Sequence, residues 1–80
     1  MTIKPGKNKM KNILLKALKA YYIGEIEKHK ANVEVFFGNP SGVGDHPDVV
    51  ETLSGEIMKI AEYEDALMVL DKHFGTLPKI

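Results

Sequence analysis

Eighty residues, in which eleven lysines balance eleven acids and no cysteine occurs, allow one small domain with no disulfide and no thiolate metal centre. Hydrophobic residues make up 44% of the chain, yet so short a chain hides only roughly 60% of its unfolded surface, so its core is thin. Lysine or glutamate interrupts every apolar stretch well before the ~20 residues that a membrane span requires, which excludes a spanning helix and sets the expectation of a cytoplasmic protein.

The zero net charge conceals a separation. Residues 1–30 hold eight lysines against Glu25 and Glu27, a net of +6, whereas residues 31–80 hold three lysines against nine acids, a net of −6. Arginine is absent. A basic arm suits a polyanion, and Lys7, Lys9, Lys11, Lys16 and Lys19 would then be its nucleic-acid contacts. The favoured reading is internal: a hairpin lays the basic half of one helix beside the acidic half of the other. Lysine neutralises phosphate, but guanidinium forks dominate base readout, and an acidic second helix repels nucleic acid.

In chain order, residues 1–8 read as a flexible lead, with Pro5-Gly6 as a breaker and Asn8 as a helix N-cap. Helix 1 is predicted over about 8–37. Leu15, Leu18, Tyr22, Ile26, His29, Val33 and Phe36 are spaced 3, 4, 4, 3, 4 and 3 and line one face. Ile13, Leu14, Ala17 and Tyr21 widen that face in the first half, with lysines 11, 16, 19, 28 and 30 on the wet side. Residues 32–37 are rich in β-branched and aromatic side chains and allow a short strand, but the helical stripe runs through them in phase and no second strand-like run exists to pair with them.

Residues 38–46 form the loop, since glycine and proline cluster there too densely for either regular structure. Helix 2 is predicted over about 47–74, with Asp45 or His46 as N-cap, Pro47 in the first turn, and Asp48 and Glu51 at the positive end of the dipole. Its core stripe is Val49, Val50, Leu53, Ile57, Ile60, Leu67, Leu70 and Phe74, with Met58, Tyr63 and Met68 at the edges. Lys72 and His73 in the last turn, Gly75 at C′ and Pro78 beyond mark the end. The helices are expected to be of similar length and to pack along their whole extent. Gly24 and Gly55 interrupt the helix interiors, either as tolerated weak points or as sites of close helix crossing.

No residue set amounts to catalytic chemistry. The glycine loop lacks the Lys-Ser/Thr of a phosphate-binding P-loop, and Asp45, Asp48 and Glu51 put negative charge where a phosphate would sit. His29, His46 and His73 are dispersed along the hairpin, so no metal site is expected. Glu62, Glu64 and Asp65 suit a solvated helix face rather than a cleft, and no nucleophile stands beside a histidine. No catalytic residue, metal or cofactor is therefore predicted, and the chain is expected not to be an enzyme. The aromatic residues say more. Tyr21, Tyr22, Phe36, Phe37, Tyr63 and Phe74 cannot all enter one two-helix seam, because adjacent helical residues point about 100° apart. Such residue types favour protein interfaces, which makes these six the candidate interface.

The segment from Ala31 to Asp48, with its Asn39-Pro40-Ser41-Gly42-Val43-Gly44-Asp45-His46-Pro47 loop, followed by a helix containing Glu64-Asp65-Ala66-Leu67, resembles short uncharacterised proteins of tailed phages, notably phages of marine bacteria. The likeness covers roughly residues 15–75. It implies a phage origin and carries over no functional residue. The expectation is an all-α antiparallel two-helix hairpin, a single domain over 9–80, that dimerises into a four-helix bundle. Its expected role is a non-enzymatic interaction or structural protein, a virion accessory or a modulator of a host protein, in the host cytoplasm or the virion. The alternatives are a nucleic-acid-associated protein using the N-terminal lysines and a small-ligand binder using the loop and the N-terminus of helix 2.

Overall fold

A computed structural model describes residues 5–39 and 48–75. Helix α1 runs over Pro5–Gly38 and helix α2 over Val49–Phe74, and the two pack against each other as an antiparallel hairpin. No strand occurs among the described residues, and 32–37 are helical.

Helix α1 opens on Pro5, the first-turn position where a missing N–H costs nothing. It therefore starts three residues before Asn8, which lies inside the helix instead of capping it. At the other end the Asn39 N–H still donates to the Val35 carbonyl at 2.9 Å, which carries the helical pattern past Gly38. Helix α2 is capped by Asp48, not by Asp45 or His46. The Asp48 carboxylate accepts the Glu51 N–H at 2.9 Å, and its backbone is extended at φ −127° and ψ 93°. Asp48 wins because Glu51 stands three residues on, the spacing of a capping box, and Val49 is the first residue of the apolar stripe. The expectations for Pro47, for the loop beyond Asn39 and for Pro78 lie outside the described residues. The helix ends where expected, with Lys72 and His73 in the last turn, but Gly75 is the C-cap itself, at φ +83° and ψ 166°, a conformation open to glycine and outside the left-handed helical region of the expected C′ cap.

With 34 residues in α1 and 26 in α2, the helices differ in length. At about 1.5 Å per residue, α1 is roughly 12 Å longer, so the hairpin is not matched along its whole extent. Phe74 sits beside Met10 and Leu14, and the turns of α1 before Met10 project past the end of α2. We call this the open end, opposite the end that carries Gly38 and Val49.

The core is thin. Leu15, Ile26, Val33 and Phe36 are buried, and no residue of α2 is. Val49, Leu53, Ile60, Leu67 and Leu70 are half-buried in the seam, but Val50, Ile57 and Phe74, expected in the same stripe, are exposed. Val50 and Ile57 fall about 80–100° around the helix from Val49 and Leu67, so a two-helix seam reaches only the nearer side of the stripe. The radius of gyration is 17.8 Å, against roughly 12 Å for a compact domain of this length. The chain exposes 6336 Å², where a compact monomer of its mass exposes about 4,800 Å².

Candidate functional site

Two features stand out on this rod: a polar cluster at its waist and an apolar groove at its open end. At the waist, His29 Nδ1 lies 2.6 Å from Glu56 Oε1 across the seam. Asn32 donates to the same carboxylate oxygen at 3.1 Å, while His29 Nε2 faces Glu25 Oε1 at 3.6 Å. The imidazole therefore stands between two carboxylates, and its ring stacks on Tyr63 at 6.2 Å with the planes 12° apart. The hydrogen bond from His29 is the main reason that the Glu56 carboxyl is held below its ordinary range, with Asn32 and the charges of His29 and Lys28 adding to it and partial burial opposing. Tyr21, Tyr22 and Tyr63 continue the cluster as a ring group with centroids 5.6 to 6.2 Å apart. A hydrogen bond with Tyr21 pushes the Tyr63 phenol above its ordinary value. Chemically the cluster fixes register. A histidine and an asparagine of α1 share one carboxylate of α2, and any slip of one helix against the other would cost the half-buried His29 and Glu56 their mutual contact.

The groove at the open end has a volume of about 680 Å³ and is lined by Met10, Lys11, Leu14, Leu15, Leu18 and Phe74. Apart from Lys11 its walls are apolar, and Leu14 and Phe74 are each more than half exposed. It is a surface trough without the convergent polar groups that orient a small ligand. A second groove of about 410 Å³ lies between the helices at Glu27, Lys30, Ala31, Val33, Glu34, Ile57 and Ile60. The two are on opposite sides of the hairpin. Leu15 and Val33, about five turns apart, both point to α2, and from that direction Leu14 is about 100° one way around α1 and Glu34 about 100° the other.

The six candidate interface aromatics divide. Phe36 is buried in the seam, and Tyr22 and Tyr63 are half-buried in the ring group. Tyr21, Phe37 and Phe74 are exposed, Phe37 the most at 66%. Leu18, expected in the core stripe, is exposed and forms part of the groove wall. Lys9, Lys11, Lys16 and Lys19 are exposed, and among the described residues no ion pair joins them to α2. The pairing expected between the two charged halves is thus not seen among the described residues. The side chain of Lys7, and His46 with the loop as a ligand site, lie outside what the structure describes.

Among the described residues no group of three or more histidines and acids could hold a metal ion. Sequence reasoning placed His29 near the stripe but missed its partners, because Glu56 is 27 residues away and neither residue breaks its local pattern. The groove was more legible, since Leu14 and Tyr21 already widened the apolar face of helix 1. No protein family, curated protein or solved structure matches the chain. No described helix is long and apolar enough to cross a membrane.

Proposed function

We propose that this chain is a non-enzymatic interaction or structural protein that acts as an oligomer through its helical faces. The observation that carries the reading is the open-end groove, an apolar trough on a hairpin that buries only four of its described residues. Contiguous apolar surface on a small rod is costly to leave in water, and association covers it. The likeness of the loop segment to tailed-phage proteins adds an origin, with a role as a virion accessory or as a modulator of a host protein. Mass by light scattering over a dilution series tests the reading. The expected result is a particle larger than the 8.9 kDa chain that dissociates on dilution. A monomer at every concentration that also retains no protein partner would remove it.

A second reading has one observation behind it. Lys9, Lys11, Lys16 and Lys19 are exposed and, among the described residues, joined to α2 by no ion pair, and they would serve a nucleic-acid-associated protein. Affinity for DNA or RNA would then fall steeply with added salt, and absence of binding at low salt would dispose of this alternative.

A further inference from the structure

We infer that the open-end groove is the seat of a second copy of this chain, set with the two open ends together so that α1 of each copy lies against α2 of the other. The inference rests on the oligomer reading above and adds to it the surface and the arrangement. Three observations converge on it.

The first is where the apolar surface lies along the groove face. Leu14, Tyr21, Glu25, Lys28 and Asn32 share one face of α1, at spacings of seven, four, three and four. Between Met10 and Tyr21 that side of α1 is apolar apart from Lys11, and from Glu25 to Asn32 it is polar. An arrangement that crosses the copies end for end would press Leu14, Leu18 and Phe74 onto Glu25, Lys28 and Asn32. Only open end on open end matches carbon with carbon.

The second is charge. Residues 5–19 carry five lysines and no acid, while residues 62–74 carry four acids and Lys72. Both stretches lie at the open end. A twofold axis along the rod sets Lys11, the lysine on the groove side, against the helix of the other copy that carries the acidic stretch, while Lys9, Lys16 and Lys19 turn toward the Ile57 side, and it makes every neighbouring helix pair antiparallel, as in a four-helix bundle. A side-by-side contact of α1 with α1 would set the lysines against each other.

The third is area. Roughly half of each of Met10, Leu14, Leu18, Tyr21 and Phe74 is exposed. At on the order of 200 Å² per large side chain, two copies would bury about 1,000 Å² from these five alone, the floor for a biological interface, and the neighbouring side chains add to it. The second groove, with Glu27, Lys30 and Glu34 around it, is the more charged of the two and stays on the outside.

The test combines two substitutions with distance measurements on the full chain. Leu14→Glu puts a carboxylate into the proposed contact and should raise the dissociation concentration on the order of 100-fold. Ile57→Glu, on the opposite side, should change it less than about threefold. Both sites are exposed in the hairpin, and helicity by circular dichroism should be kept in each. Because the chain has no cysteine, Lys9→Cys and Val35→Cys each take a single spin label. Open ends together keep both label pairs within about 35 Å, whereas crossed copies put at least one pair beyond about 40 Å, from the rise per residue and the helix spacing. A dimer with a long label distance, or one dissociated by Ile57→Glu and not by Leu14→Glu, overturns this arrangement and leaves the oligomer reading standing. A monomer at all concentrations overturns both.

Discussion

Replacing Gly24 with alanine should stabilise the fold, although glycine in a helix that packs on another often marks a close approach. A Cβ built on Gly24 meets nothing within 4 Å. The position lies nine residues, or about two and a half turns, beyond the buried Leu15, so it points away from α2. No neighbour gains from the missing methyl, and what remains is the helix propensity difference of about 1 kcal/mol in favour of alanine. Unfolding entropies near 2.1 cal/mol/K per residue give an 80-residue chain roughly 0.17 kcal/mol/K, so the melting temperature should rise by about 6 °C. Gly55 has the same empty surroundings, and the two replacements should add because they are far apart and share no partner. Thermal melts by circular dichroism at one fixed protein concentration read this directly, since association makes the midpoint depend on concentration. A fall in stability with Gly24→Ala would refute the reasoning, for it would mean that a surface outside the hairpin packs against this glycine.

Two further outcomes are expected. Asp48→Ala should lower stability by about 1 kcal/mol, because the Glu51 N–H loses its acceptor, and Asp48→Asn should recover most of the loss; urea titration measures both, and no change on Asp48→Ala would contradict the cap. Glu56 has a depressed pKa in the folded chain, so its ionised form stabilises the fold at pH values above the ordinary carboxylate value of 4.5, and that contribution is lost as pH falls through the lowered value. Glu56→Gln should accordingly flatten the acid limb of the stability profile, and an unchanged profile would show that the His29 contact contributes nothing.

The sequence by itself determined the helix–loop–helix order, the helical state of residues 32–37 and the Gly75 stop. All three depend on near neighbours: a 3-and-4 spacing of apolar residues, the conformational freedom of glycine and the helix-ending pattern after Lys72. The tertiary structure alone decided the register, which sets His29 level with Glu56 and Tyr22 level with Tyr63. It also sorted the aromatics, sending Phe36 inward and leaving Phe37 outside. Periodicity states which side of a helix is apolar. How far round that side a partner reaches is set by the cross-section of one neighbouring helix and by polar contacts between residues far apart in the chain. For the same reason the widening of the apolar face in the first half of helix 1 could be read from spacing, while its joining with Phe74 into one groove could not.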